Sequence, residues 1–217
     1  MKNRDQNEVM VVDASGTTRT RKRYDRLARW YDLLEALMES WRFAGWRGRL
    51  KEQIRGPSVL EVGVGTGKNM RFYPPGLSFK GIDLSPRMLE RAQKRTAVLG
   101  LDVDLREMDV QDLQFPDHMF DTVFATFVFC SVPDPVLGLK ELRRVCKPDG
   151  RLILLEHMRP GNALLGLLFD VLNPMVVRMM GANINRKTRE NIRRAGWQIV
   201  LEEQLSSDIV WWIEAHP

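Results

Sequence analysis

The chain has 217 residues, 44% of them hydrophobic, and a formal net charge of +5. This length and apolar content suit one domain with a normal core and a small appendage. The two cysteines, Cys130 and Cys146, sit inside apolar patterns, which excludes a disulfide framework and points to buried thiols in a reducing compartment. No run reaches the uncharged length of a membrane span, and Met1–Asp5 opens no apolar signal region. The expected location is cytoplasmic, peripheral at the inner face of a membrane if the chain meets one.

Residues 1–18 are polar without a hydrophobic period and are expected to form a disordered tail. Residues 19–38 carry an apolar helical stripe, Leu27, Trp30, Tyr31, Leu34, Leu37 and Met38, flanked by Arg21, Lys22, Arg23, Arg26 and Arg29. A second helix is expected through Trp41, Phe43, Trp46 and Leu50. Residues 19–55 hold eleven Lys and Arg against five Asp and Glu. A basic, Trp-rich amphipathic element suits an anionic membrane surface. The same pattern suits a lid packed on its own domain. Tyr24 and Tyr31 are seven apart and share one helix face.

Residues 58–69 are the centre of the chain. The run Val59–Val62 predicts a buried strand, and glycines follow at 63, 65 and 67. Glycine permits positive φ and close approach of a ligand to the backbone. The dinucleotide fingerprint fails, because Lys68 stands in its sixth position counted from Gly63. A phosphate P-loop fails at Val62 and Asn69. What remains is Glu61-x-Gly63-x-Gly65-x-Gly67, a pattern that a plain tight turn could also use. A second strand, 78–83, ends in Asp83, twenty residues after Gly63, where a carboxylate can accept ribose hydroxyls. Ser85-Pro86 reads as an N-cap followed by Pro at N1. A third strand leads into Met108-Asp109-Val110-Gln111-Asp112-Leu113.

These three pieces resemble the motifs of class I S-adenosyl-L-methionine (SAM) methyltransferases. The resemblance implies an α/β fold, a Rossmann-like seven-stranded sheet with an N-terminal helical lid. It implies SAM as cofactor and S-adenosyl-L-homocysteine as product. The cofactor-binding residues it implies are Glu61, Gly63, Gly65, Gly67, Asn69, Asp83, Leu84, Met88, Asp109, Val110 and Phe127. Residues 1–18 would be the tail, 19–55 the amphipathic helices and 56–217 the SAM-binding domain.

The remaining strands are expected at 58–63, 102–108, 120–129 and 150–156, and the helices at 67–73, 86–99 and 135–146. The apolar run 163–180 is broken by Asp170, Asn173-Pro174 and Arg178, which rules out a spanning helix. It reads either as an insertion over the substrate mouth or as a core helix. Residues 197–205 and 208–215 read as an antiparallel pair. The three histidines, 118, 157 and 216, form no ligand cluster, so no metal is expected.

Tyr24-Asp25 and Tyr31-Asp32 resemble the N-terminal helix of quinone C-methyltransferases and bacterial phospholipid N-methyltransferases. Leu60–Gly63, Tyr73–Gly76, Phe129–Val132, Glu156-His157 and Gly181–Arg186 form a set similar to bacterial phosphatidylethanolamine N-methyltransferase-like proteins and mammalian microsomal alkyl-thiol methyltransferases. The implied activity is N-methylation of phosphatidylethanolamine, with C-methylation of a prenylated quinone or S-methylation of a small thiol as alternatives. Tyr24, Tyr31 and His157 would then act at the acceptor, and Asn183 and Arg186 would hold its phosphate. His157 could equally be a strand-end hydrogen-bonding residue, and Asn183 a turn residue. The expected partner is a lipid or other hydrophobic small molecule. Nucleic acid is not expected, since no recognition module accompanies the basic segment. A monomer or weak dimer is expected.

Overall fold

A computed structural model describes residues 13–38, 41–206 and 208–217, and within these the side chains of all but 27–38, 41–44 and 180. Three helices come first: α1 (Ala14–Met38), α2 (Trp41–Gly48) and α3 (Leu50–Gln53). The sheet strands are β1 (Ser58–Val62), β2 (Ser78–Asp83), β3 (Val103–Glu107), β4 (Phe120–Thr126), β5 (Cys146–His157), β6 (Gln198–Ser206) and β7 (Val210–His216). Between them run α4 (Pro86–Leu99), α5 (Pro135–Val145), α6 (Ala163–Met180) and α7 (Thr188–Arg194).

The seven strands form one sheet in the order β3-β2-β1-β4-β5-β7-β6. The first five are parallel. β7 runs antiparallel to both β5 and β6. The chain leaves β1 towards one edge and returns at β4 on the other side, so a crevice opens at the strand ends between them. That switch point is where open α/β sheets bind ligands.

Strand periodicity sorts the core into two layers. Leu60, Val62, Val123, Leu152 and Ile213 pack on one face with Leu139 and Leu142 of α5 and Ile192 of α7. Val59, Phe124, Ile153 and Trp212 pack on the other with Leu50, Met70, Leu89 and Ala92. Cys130 and Cys146 are both buried free thiols.

Three expectations change. The tail ends sooner than residue 18, because Asp13 Oδ1 accepts from the N–H groups of Ser15 (3.1 Å) and Gly16 (2.9 Å) and starts α1 at Ala14. Residues 1–12 lie outside the described residues. No α-helix follows the glycine turn; only a 3₁₀ turn, Met70–Phe72, forms there. Tyr73 is extended at φ −65°, ψ 127°, as a residue before Pro74 prefers. The fourth strand ends at Thr126 and not at 129, because Phe127 turns left-handed at φ 58°; the 163–180 run forms a single helix that continues through Pro174. Pro174 is exposed there, so water can solvate the carbonyl it leaves unpaired. No helix among the described residues is long and apolar enough to cross a membrane.

Candidate active site

The glycine turn after β1 is built from three positive-φ residues, Gly63 (65°), Gly65 (55°) and Gly67 (81°). A Cβ on Gly63 would lie 2.5 Å from Val128 Cγ2, and one on Gly67 would lie 2.6 Å from Met70 Sδ. Those two glycines are needed for packing. Gly65 differs: the nearest atom to its Cβ position is Gly63 O at 4.0 Å. The Gly65 N–H donates to Asp83 Oδ2 at 2.8 Å, and Ser85 N donates to Asp83 Oδ1 at 2.9 Å. Burial pushes the Asp83 carboxyl up to about 6. Ser85 Oγ in turn accepts from Met88 N and caps α4, with Pro86 at its first position.

These groups open onto a cleft that reaches solvent, a concave site of the kind that takes small molecules. Its walls include Gly63, Gly65, Asp83, Leu84, Met88, Asp109, Val110, Phe127 and Tyr24, all foreseen from sequence. Met108, Ser131 and Val132, which stand in the motifs read from sequence, also line it, as do Thr20, Thr126, Val128 and Pro133, which were not foreseen. Glu61, Gly67, Asn69, His157, Asn183 and Arg186 are not among its lining residues. The side chain of Tyr31 lies outside the described residues.

Glu61 sits fully buried beneath the turn. Its Oε1 accepts from Asn69 Nδ2 at 2.6 Å, and its Oε2 accepts from the Tyr73 hydroxyl. Arg47 of α2, only 6% exposed, donates to Asn69 Oδ1 (2.7 Å) and Thr126 Oγ1 (3.2 Å). Glu61 is thus the hub of a buried network whose outermost member, Thr126, faces the cleft. Arg47 was missed because it is one of eleven cations in a basic segment, and nothing in its spacing marks it as the buried one.

The first half of α1 lies across the cleft. Thr17 Oγ1 donates to Asp109 Oδ2 at 2.7 Å, and Gln111 Nε2 donates to Thr17 Oγ1 at 3.1 Å. Ser85 Oγ donates to Asp25 Oδ1 at 2.6 Å, and Arg21 pairs with Glu107 at 2.8 Å. At the other end the Tyr24 hydroxyl and Ser131 Oγ are 2.5 Å apart. Burial raises the Tyr24 phenol well above its ordinary range, so it is a neutral hydrogen-bonding group.

Phe127 holds a left-handed backbone at φ 58°, a strained conformation for an aromatic residue and a common mark of functional sites. Glu156 Oε1 holds the turn by accepting from Val128 N (2.7 Å) and Phe129 N (3.0 Å). Glu156 Oε2 is buried without a hydrogen-bond partner. The His157 ring stacks on Phe127 at 6.0 Å, and burial lowers its pKa, which favours the neutral imidazole. Cys130, Glu156 and His157 bring ligand-type atoms within 4.8 Å of one another, a grouping that histidine spacing did not reveal. Burial pushes the Cys130 thiol up to about 12 and Glu156 up to about 7.

Glu61 is likewise pushed up to about 7 by burial. A carboxyl whose folded pKa is raised stabilises the fold fully below the unfolded range and loses that contribution as pH rises through the folded value. Thermal stability is therefore expected to fall between about pH 5 and pH 8. Glu156→Gln keeps an acceptor for Val128 and Phe129 but cannot ionise. It should flatten that slope by about 1–3 kcal/mol, read from melting curves across the range. An unchanged slope would remove Glu156 from the account.

Asn183 and Arg186 lie apart from the cleft, in a polar cavity shared with Arg159, Asp170, Asn185 and Lys187. Asn183 Nδ2 donates to Cys130 O at 3.0 Å, and Arg186 Nη2 donates to Val132 O at 2.6 Å. Both tie the segment after α6 to the loop after β4.

A family model described as "Methyltransferase domain" matches residues 60–154. The demethylmenaquinone methyltransferase of Thermus thermophilus is 33% identical over 168 residues, covering 75% of this chain and 76% of that one. The chain belongs to the SAM-dependent methyltransferases. The phosphatidylethanolamine N-methyltransferase of Cereibacter sphaeroides is 43% identical over 105 residues, 48% of this chain and 52% of that protein. The chain thus matches about half the length of that relative. Among solved structures, a SAM-dependent methyltransferase of Thermotoga maritima, titled a possible histamine N-methyltransferase, superposes with a TM-score of 0.62 at 23% identity, covering 88% of this chain and 97% of that one.

The methyltransferase's cleft fits SAM. Among the described residues, none that lines it is Lys or Arg, as suits a cofactor without phosphate. Asp83, Leu84, Met88 and Val110 line the cleft together; the carboxylate could accept from ribose hydroxyls, and the three apolar side chains could bed the adenine. Gly65 leaves its Cβ space open on the cleft side.

Proposed function

We propose that this methyltransferase transfers methyl groups to the amine of phosphatidylethanolamine. The observation that carries this reading is the 43% identity to the Cereibacter sphaeroides enzyme of that name. The far end of the cleft supports it. Phe127 and Tyr24 offer aromatic faces, and the Tyr24–Ser131 hydroxyl pair offers a hydrogen-bonding point for an amine. When bound, SAM supplies an activated methyl group. The protein's part is to orient the acceptor lone pair in line with it and to exclude water.

The first half of α1 acts as the lid. Its contacts to Asp109, Ser85 and Ser131 span both sides of the cleft. Tyr24 and Ser131 position the amine. The neutral His157, stacked on Phe127 behind the cleft lining, would relay onward the proton that an ammonium must lose before attack. Arg186, whose Nε is buried and without a hydrogen-bond partner, holds the phosphate together with Asn183.

A second reading is C-methylation of a prenylated quinone. It is favoured by the demethylmenaquinone methyltransferases, whose matches cover more of the chain. Purified protein, labelled SAM and liposomes with or without phosphatidylethanolamine separate the two, with a demethylated quinone and a small thiol as parallel acceptors. Label in phospholipid only when the headgroup is present is the expected result. Tyr24→Phe should then lower kcat/KM about tenfold or more. Label in the quinone alone would replace the proposal with the second reading.

A further inference from the structure

Helix α6 is built inside out. Its two polar side chains other than Arg178 are both held by neighbouring segments. Asp170 takes a bidentate contact from Arg159 (3.1 and 2.8 Å) and a hydrogen bond from Asn185, and Asn173 Oδ1 accepts from Ile184 N at 2.9 Å. The outward face carries Leu164, Leu167, Leu168, Val171, Met175 and Met179, each between 50 and 81% exposed. These positions recur at helical spacing along the whole element. A soluble helix normally presents the opposite pattern, and an apolar face of this extent marks an interaction site.

Charge selects the occupant. Asp170, the only acid in α6, is neutralised by its ion pair with Arg159. Arg178 is exposed beside Met179 on the outward face. Past the C-terminal end of α6, the side chain of Arg23 of α1 lies against Gly181. Six exposed apolar side chains, with Arg178 among them, Arg23 near one end and the one acid of the helix paired, match the acyl boundary and the phosphates of a lipid surface together.

We propose that the outer face of α6 docks on an anionic lipid bilayer. The reading does not depend on which acceptor is methylated. The test is co-sedimentation of the full chain with phosphatidylcholine vesicles, with and without phosphatidylglycerol. Neither cofactor nor phosphatidylethanolamine is present, so it can fail while the acceptor assignment stands, and the reverse. Binding is expected to need phosphatidylglycerol and to weaken with added salt. The double variant Leu168→Glu, Val171→Glu should lower the partition coefficient more than about tenfold, with an unchanged circular dichroism spectrum. Arg178→Glu should lower it severalfold without removing any apolar side chain. Vesicle binding that survives the double variant would move docking to another element and overturn the proposal. So would absent vesicle binding combined with a dimer, seen by light scattering, that the double variant dissolves. In that case the face joins two copies of the chain.

Discussion

A Gly65→Val variant is expected to bind SAM at least about 100-fold more weakly than the parent protein, a loss of about 2.8 kcal/mol. Two effects add. The backbone at Gly65 holds φ 55°, which a β-branched residue adopts only at a cost of about 1–3 kcal/mol. The new side chain also enters the open space beside Asp83 that the cofactor needs, since nothing but Gly63 O lies within reach of a Cβ there. Gly76→Ala is the control. It has φ 80° and open space around its Cβ, but it does not line the cleft. Calorimetric titration with SAM, paired with a thermal melt, should show both variants losing stability and only Gly65→Val losing affinity. Full affinity in Gly65→Val would mean that the cofactor lies elsewhere.

Glu61→Ala is expected to cost the fold about 3–5 kcal/mol. Removing this carboxylate strips the acceptor from Asn69 Nδ2 and from the Tyr73 hydroxyl, both in buried residues. It also leaves Arg47, 6% exposed, without the countercharge of its network. For a chain of this size the melting temperature should drop by roughly 10 °C. SAM affinity should fall as well, because Asn69 and Arg47 both hold Thr126 on the cleft wall. The double variant Glu61→Leu, Arg47→Met removes both charges, so it should be less destabilised than the two single changes summed. Simple additivity would show that the two residues act independently and would sink the network account.

Much of the fold was legible because its signals are local. The strand ends at 62 and 83, the glycine alternation, the Ser85-Pro86 cap and the 86–99 helix all depend on residues a few positions apart. The sheet order follows once the family is recognised. What stayed hidden depends on distance in sequence. The Thr17–Asp109 contact joins residues 92 apart, and the Tyr24–Ser131 contact joins residues 107 apart. Glu61 was expected at the cofactor because of its place in the motif. In the fold its oxygens accept from the buried Asn69 and Tyr73, and Arg47 joins the network through Asn69. Glu156 stood in the sequence only as a strand-end residue beside His157. Its hold on the Phe127 turn needs the register of β4 against β5 to be known.

The place of β7 has a consequence for how the protein is made. This strand, Val210–His216, lies inside the sheet between β5 and β6 and carries the fully buried Trp212. During synthesis, the ribosome delivers β6 before the strand that must hold it. β5 waits with one edge unpaired until residue 216 has emerged. An open apolar edge is a template for pairing with other chains, so the interval between translating β5 and releasing β7 is the stretch in which the nascent protein most needs a chaperone.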